Sequence, residues 1–423
     1  MNLLMPVTYN GKSVDYGTVR KPMRDITYSM AALVLYNGVI QFAVYPFFNS
    51  KMGAAAFGVV LSLHSILIII AGACGTAANN SRMVTQLKFT PSNGDYNFIL
   101  LFLGLASMIA GTIYFAVAAT AAITPAAVLL YAGLMFFMLL RFYGDVEFRL
   151  RIDFKRYFIY YFLISAGYCL GLYIYRVTGQ WMLALLVGEI LAIGYVVWKG
   201  HIFTPPVWGR TQYTSAAWKS IAFLLAANLI SLLVVNADRI LLLFFESGKA
   251  VTVYYVASLL GKLVALLAGP LGGVMLSYLV RYDGSLSRRM FLQGTGLILI
   301  MSALAFACCV LLSTWFIRWL YPSLLEMAKP ILVLAIAGQI IYFAAGILWI
   351  VLLRFYGEKF QTYLNVIYGA GFFGITILAL IFGGLNEFAW AVVIANAGYF
   401  LLLGGFGLYK SDKKDIRSLL SQG

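Results

Sequence analysis

The chain has 423 residues, of which 62% are hydrophobic and only 11% are charged. A soluble domain carries about a quarter charged residues, so this composition excludes a soluble enzyme or binding module and makes lipid the solvent. A net charge of +15 would suit a nucleic acid, but the lysines and arginines collect at the ends of apolar runs, as topology signals do. We therefore expect the lipid bilayer as a partner and no nucleic acid.

Twelve apolar runs follow one another along the chain, and each is long enough to cross a bilayer core, which takes roughly 20 helical residues. The runs are 28–48, 54–78, 96–117, 121–141, 157–175, 181–198, 220–245, 251–279, 291–317, 330–353, 363–382 and 388–409. Pro125 lies near the start of the fourth run. The pattern predicts an all-α polytopic membrane protein of about 12 transmembrane helices.

The basic residues orient these spans. With the N-terminus in the cytoplasm, the cytoplasmic segments hold 23 lysines and arginines, Arg141 among them, and the external turns hold five. Positive charge favours the cytoplasmic side, so both termini are predicted there, in the cell inner membrane. The predicted parts are a cytoplasmic N-terminal segment (1–27), a lobe of spans one to six (28–198), a cytoplasmic loop (199–219), a lobe of spans seven to twelve (220–409) and a cytoplasmic tail (410–423).

The connections between spans leave no room for a catalytic domain, because the external turns are short and the longest cytoplasmic segments are 142–156 and 199–219. The sequence also lacks the Gly-x-x-x-x-Gly-Lys-Ser/Thr phosphate loop, and two histidines are too few for an imidazole-rich metal site. We expect no enzyme activity, no cofactor and no metal. Two six-helix halves with the substrate between them are a common transporter design.

A few ionisable residues lie inside the spans, where lipid makes them costly unless they face a cavity or a partner. They are His64, Glu189, Asp238, Arg239 and Lys262. Asp238 and Lys262 differ in depth by roughly 6 Å on the hairpin of spans seven and eight, given the helical rise. They therefore form an ion pair that locks the hairpin, or Arg239 and Lys262 attract an anionic ligand and Asp238 is their resting counter-ion. Arg239 points about 100° away from Asp238, so one partner cannot satisfy both.

The other candidates each have a structural and a functional interpretation. His64 is a hydrogen-bonded structural histidine or part of a proton relay, and Glu189 is a structural hydrogen-bonding group or an ion-coupling site. Lys51, in the first external turn, is an anchor at the membrane surface or a ligand contact. Arg24 and Arg82 lie at the cytoplasmic ends of spans one and two, as topology charges or as contacts to a phosphorylated headgroup.

Span eight is interrupted by a run of helix-breaking residues, Gly269, Pro270, Gly272 and Gly273. Proline removes a helical hydrogen bond and clashes with the preceding turn, so the run predicts a kink. The kink is a candidate hinge for alternating access, with a static packing bend as the alternative.

Two stretches match a family pattern. The first is Pro-Phe-Phe-Asn-Ser-Lys-Met-Gly-Ala-Ala-Ala-Phe-Gly at 46–58, followed by Arg82 at the end of the next span. The second is Asn-Ala-Asp-Arg-Ile-Leu at 236–241, then Gly248 and Val-Tyr-Tyr-Val-Ala at 253–257. Together they resemble the first hairpin and the seventh-span motif of bacterial polysaccharide-repeat flippases of the Wzx/PST type, although Val-Thr-Val-Tyr-Tyr stands where that family often has Val-Gly-Tyr.

The resemblance implies membership of the multidrug/oligosaccharidyl-lipid/polysaccharide exporter (MOP) superfamily. It implies two six-helix lobes around a central cavity lined by spans one, two, seven and eight, with Asp238 and Arg239 as motif residues. The implied substrate is a polyprenyl-pyrophosphate-linked oligosaccharide, moved by alternating access from the cytoplasmic to the external leaflet for surface polysaccharide biosynthesis. A proton or sodium gradient is the candidate driving force, and other membrane proteins of polysaccharide assembly are candidate partners.

Three alternatives stay open. A multidrug or organic-cation antiporter of the same superfamily would need an acidic cavity, for which only Glu189 qualifies in the N-terminal lobe. A polysaccharide polymerase or ligase would need a polar external catalytic loop, and no external turn is long enough. A membrane scaffold without transport activity is the third.

Overall fold

The computed structural model describes residues 8–9, 12–13, 20–86, 91–119, 123–268, 286–356 and 358–420, with single positions at 271, 275 and 279. Thirteen α-helices supply nearly all the regular structure of these residues. They are α1 (Arg20–Val39), α2 (Tyr45–Thr85), α3 (Asn93–Ala118), α4 (Pro125–Gly144), α5 (Val146–Leu150), α6 (Phe154–Thr178), α7 (Trp181–Lys199), α8 (Thr214–Phe245), α9 (Gly248–Leu266), α10 (Arg288–Leu320), α11 (Leu325–Tyr356), α12 (Glu358–Phe382) and α13 (Leu385–Leu420).

Three short elements complete the described structure. A π-helical turn at Ile40–Val44 joins α1 to α2, and a 3-10 turn at Pro322–Leu324 precedes α11. The strands Thr8–Tyr9 and Lys12–Ser13 pair antiparallel in a two-residue ladder.

Eleven helical stretches of the described residues are long and apolar enough to cross a membrane. The first, Thr27–Thr85, has 59 residues and would be about 88 Å long as one straight helix, far more than a bilayer core of about 30 Å. Gly53 divides it, because its φ of 79° and ψ of 165° are not helical and suit a residue without a side chain. The predicted spans 28–48 and 54–78 fall on either side of Gly53, and the predicted all-α polytopic fold class is confirmed.

The helix ends differ from the predicted spans where helices continue past the apolar runs. The fourth begins at Pro125 instead of residue 121, because the fixed φ of proline suits the first helical position. α8 begins at Thr214, inside the predicted loop 199–219, and α13 continues through the predicted tail to Leu420. A helix satisfies its own backbone hydrogen bonds in water as well as in lipid, so it does not end at the membrane surface.

The chain divides into two compact units. The first unit contains 1–44, 74–106 and 133–224, and the second unit contains 45–73, 107–132 and 225–423. α2, α3, α4 and α8 each contribute one end to either unit, so the units do not follow the predicted division at 199–219. The six-plus-six lobes stay a prediction.

Close backbone approach holds helices together inside each unit. In the first unit, α6 and α7 form a hairpin closed by Gly179 in the left-handed conformation, and Gly167 lies against the backbone of Gly188. In the second unit, α11 packs against both α9 and α13. Small residues at such contacts let helices approach in lipid, where burial of apolar groups drives no association.

Candidate functional site

The second unit brings together the two motif stretches found in the sequence. α2 contributes Phe57 and Gly58, and the α8–α9 hairpin contributes Gly248 and Tyr255. The rings of Phe57 and Tyr255 meet edge to face with centroids 6.1 Å apart. A Cβ on Gly58 would overlap the backbone of Gly248, so the two helices can approach this closely only without a side chain there. The motifs therefore form one contact region within the second unit.

Asp238 and Lys262 form an ion pair across the α8–α9 hairpin. The Lys262 ammonium donates to Oδ2 of Asp238, and the two side chains are 16% and 8% exposed. The pairing inferred from their depths is confirmed. Oδ1 of Asp238 accepts no hydrogen bond from the described residues, so this carboxylate keeps an acceptor for a further donor.

Arg239 faces another direction, as the 100° offset predicts. Its Nη1 donates to Oγ of Ser65 on α2 at 3.1 Å, and its guanidinium carbon lies 5.3 Å from the ring centroid of Tyr255. The residue is 6% exposed. Among the described residues no carboxylate forms an ion pair with Arg239, and the carboxylate of Asp238 pairs with Lys262.

His64 lies beside this cluster on α2 and is 1% exposed. Its Nδ1 is 2.7 Å from the hydroxyl of Tyr45, whose ring meets Phe57 and Tyr255 edge to face. This geometry agrees with a hydrogen-bonded structural histidine. A role for His64 in proton transfer stays a prediction.

Glu189, in the first unit, has a cationic partner that the sequence analysis missed. Arg141 Nε lies 3.0 Å from Glu189 Oε2, and the side chains are 1% and 0% exposed. Tyr168 donates to Glu189 Oε1 at 2.5 Å, and the ring of Tyr36 lies 5.1 Å from the Arg141 guanidinium carbon. Arg141, which the sequence analysis counts with the cytoplasmic charges, is thus enclosed in the helix packing and compensates Glu189.

Arg82, in the first unit, is also enclosed. It donates to the hydroxyl of Tyr143 and, at 2.5 Å, to Oδ1 of Asn93, and its guanidinium carbon lies 5.2 Å from the ring centroid of Tyr96. It is 6% exposed, so its proposed contact with a phosphorylated headgroup would require the helices around it to separate. The substrate role of Arg82 stays a prediction.

The remaining predicted residues lie apart from these clusters. Arg24 and Lys51 are both exposed, Arg24 in α1 and Lys51 just before the break at Gly53. Their ligand contacts stay predictions. The predicted hinge residues Gly269, Pro270, Gly272 and Gly273 lie outside the described residues.

Asp95 is a functional candidate that sequence reasoning missed. Its carboxylate, at the start of α3, accepts hydrogen bonds from Ser92, Thr211 and Thr214, with Oδ2 2.9 Å from Thr211 Oγ1 and Oδ1 2.7 Å from Thr211 N. The segment before α8 is thereby fixed to α3 within the first unit. Two features of the sequence could have pointed to it: Ser92 and Asp95 around the start of α3, and Thr211 and Thr214 around the start of α8.

No group of three or more metal-ligating side chains occurs among the described residues. The polar clusters in the described part of the chain are ion pairs and hydroxyl networks.

No protein-family model matches the sequence, and no curated protein sequence matches it. Solved structures do match the fold. An inward-facing multidrug resistance MATE transporter of the MOP superfamily has 13% identity and a TM-score of 0.72, covering 91% of this chain and 98% of that chain. The lipid II flippase MurJ in an inward closed conformation has 15% identity and a TM-score of 0.71, covering 92% and 87%. An outward-facing MATE transporter has 12% identity and a TM-score of 0.62, covering 93% and 95%.

The chain thus has the fold of a multi-pass membrane transporter. The particular fold is the one shared with a MATE transporter of the MOP superfamily and with the flippase MurJ. The three solved structures named above are two transporters and a flippase.

Proposed function

We propose that the protein is a flippase for lipid-linked oligosaccharides, moving polyprenyl-pyrophosphate-linked repeat units from the cytoplasmic to the external leaflet by alternating access. The observation that carries the proposal is the charge of the α8–α9 cluster. Lys262 and Arg239 supply two cations and Asp238 one carboxylate, so the cluster has an excess positive charge in a membrane-spanning region. A buried excess charge is costly, and an anionic ligand would compensate it.

A pyrophosphate headgroup suits this cluster chemically. Its oxygens accept hydrogen bonds from both the lysine ammonium and the planar guanidinium fork. Lys262, at 16% exposed, is the cation that a ligand can reach, while Asp238 keeps it charged and oriented between transport events. In this proposal Asp238 is the resting counter-ion that the phosphate replaces.

A multidrug antiporter is the second candidate, because a MATE transporter matches the fold as well as MurJ does. An organic cation would need an uncompensated carboxylate. Glu189, the only carboxylate inside a predicted span of the N-terminal lobe, is paired with Arg141 and sealed from solvent. The arrangement of charges therefore favours an anionic substrate.

The test is a double-mutant cycle at the hairpin, with membrane abundance and polysaccharide export measured separately. Either Asp238→Asn or Lys262→Gln alone strands a buried charge, which costs about 3–5 kcal/mol, so abundance should fall. The double variant should regain abundance, because it removes one cation and one carboxylate together and leaves the net charge of the cluster as it is in the parent; export should stay lost without the Lys262 cation.

Lys329→Gln is the matched control, because it breaks an exposed ion pair with Glu326 and should leave both readouts unchanged. Full export by the double variant would make the hairpin pair purely structural and would remove the main support for an anionic substrate. If a strain that lacks the protein still makes normal surface polysaccharide but becomes hypersensitive to drugs, that result would instead support the antiporter.

A further inference from the structure

Ser65 on α2 is hydrogen-bonded to Arg239 on α8. Ser65 Oγ donates to the carbonyl of Leu61 in its own helix at 2.8 Å and accepts from Arg239 Nη1 at 3.1 Å. Because the hydroxyl hydrogen is used within α2, a lone pair of the oxygen is directed outward to a donor. Ser65 is 0% exposed, so the bond with Arg239 is shielded from water.

Aromatic residues enclose the guanidinium around this bond. Tyr45, held by His64 at 2.7 Å, packs its ring edge to face with Tyr255 at 5.5 Å, and Tyr255 lies under Arg239. A saccharide pyrophosphate cannot reach a side chain that is 6% exposed. In this conformation Arg239 therefore contacts α2 and not a ligand.

α2 is also joined to α9, the second helix of the α8–α9 hairpin, by contacts closer to the helix ends. Thr252 Oγ1 donates to the Ala54 carbonyl at 2.6 Å, and Gly58 lies directly against Gly248. The predicted topology places these ends of α2 and α9 on the external side. We call this set of contacts, from Ala54 and Gly58 to Gly248 and Thr252, the external seam.

Arg239 is bound here by weak partners for a buried cation. Neutral hydroxyls and a ring face compensate a guanidinium less well than an anion does, since a charged acceptor makes a hydrogen bond about twice as strong. Any phosphate that comes within reach of Arg239 will compete with Ser65 for it.

We propose that Ser65 is a positioning residue that holds Arg239 against α2 and so keeps the external seam closed, and that an anionic phosphate group draws Arg239 off Ser65 when the seam opens. The first half concerns the protein alone. The second half rests on the proposed function, because it takes the phosphate to be that of the transported lipid. The two halves are tested in separate arms of one experiment.

The reporter is Thr252→Cys, a nearly isosteric change at a residue that is 0% exposed within the seam. It is introduced into a variant in which serine or alanine replaces the native cysteines Cys74, Cys169, Cys308 and Cys309. The measurement is the rate at which an impermeant methanethiosulfonate modifies the purified full-length protein in nanodiscs. That rate is proportional to the fraction of time for which the seam is open.

In the first arm Ser65→Ala should raise the modification rate by about tenfold, since a hydrogen bond to a charged group is worth that much in an equilibrium. Arg239→Met should raise it similarly by removing the donor. Ser62→Ala is the matched control: Ser62 is another fully buried serine of α2, bonded to Tyr114 at 2.6 Å and not to Arg239, and its rate should stay at the parent value. Equal rates for Ser65→Ala and Ser62→Ala would overturn the positioning role.

In the second arm farnesyl pyrophosphate is added to the parent reporter, with farnesol as the uncharged comparison. Pyrophosphate should raise the modification rate in the parent and leave it unchanged in Arg239→Met, and farnesol should act on neither. Acceleration by Ser65→Ala without any pyrophosphate effect would preserve the positioning role and overturn the phosphate competition, and with it this use of the proposed function. Acceleration by farnesol as well would show a lipid-tail effect and overturn the competition too.

Discussion

Replacing Glu189 with glutamine separates the two interpretations of this residue. The change keeps the shape of the side chain and an acceptor for Tyr168, but it leaves Arg141 as an unpaired cation in a site where the two side chains are 1% and 0% exposed. Removing one partner of a buried pair costs about 3–5 kcal/mol. If about 2 kcal/mol of this falls on the unfolding barrier, the rate of unfolding rises about 30-fold.

The assay is the half-life of the monodisperse protein in detergent at a fixed temperature, because large membrane proteins unfold irreversibly and their operational stability is a rate. Glu326→Gln is the control, since it breaks a pair with Lys329 whose side chains are 79% and 48% exposed. Such an exposed pair is worth about 0–1 kcal/mol, so its half-life should stay close to that of the parent. Arg141→Gln combined with Glu189→Gln should recover most of the half-life.

The outcome that refutes the structural interpretation is equally definite. If Glu189→Gln keeps the half-life of the parent but abolishes transport, Glu189 carries an ion that couples to substrate movement. Loss of stability that the double variant repairs, with transport repaired as well, assigns Glu189 to the structure of the first unit.

Two further predictions concern topology and the segment before α8. In the cysteine-free background, Val177→Cys should react with an impermeant thiol reagent on intact cells and Gln212→Cys only after lysis, because basic residues place those segments outside and inside; equal labelling would break the orientation. Asp95→Asn should make residues 200–213 at least several-fold more sensitive to limited proteolysis, because the amide accepts fewer of the hydrogen bonds from Thr211 and Thr214. Unchanged cleavage would show that this segment is held by other contacts.

The number of membrane spans and the positions of residues along a helix could be predicted from the sequence, because they depend on hydrophobic composition and on the helical period. The apolar runs predict the membrane crossings, since lipid demands helices of a minimum length. The pairing of Asp238 with Lys262 could be predicted from their depths, because the turn at Gly248 fixes the register of two adjacent helices. The offset of Arg239 follows in the same way from the helical period.

Contacts between distant helices could not be predicted, because they depend on how helices rotate and pack. Arg141 lies at the end of an apolar run, where a basic residue is interpreted as a topology charge. Only the packing of the helices in the first unit reveals that it faces Glu189. Ser65 has no distinguishing neighbours in the sequence and becomes important only because α8 brings Arg239 against it. The motif stretches could have signalled the seam, since Gly58 and Gly248 are small residues where helices must approach.

The two buried charge clusters differ in how their charges are compensated, and this difference bears on substrate sign. Arg141 and Glu189 cancel within the first unit, so that pair needs nothing from outside. In the second unit Asp238 pairs with Lys262, and the partners of Arg239 among the described residues are the neutral hydroxyls of Ser65 and Tyr45 and the ring of Tyr255. A protein selected for stability alone would place an apolar residue at such a position, because replacing a buried charge by a well-packed apolar group is often stabilising. The cost of keeping Arg239 is offset if a transported anion is its partner during part of the transport cycle. The excess of positive charge in the second unit also argues against an organic cation as substrate, because such a cation would add to that excess.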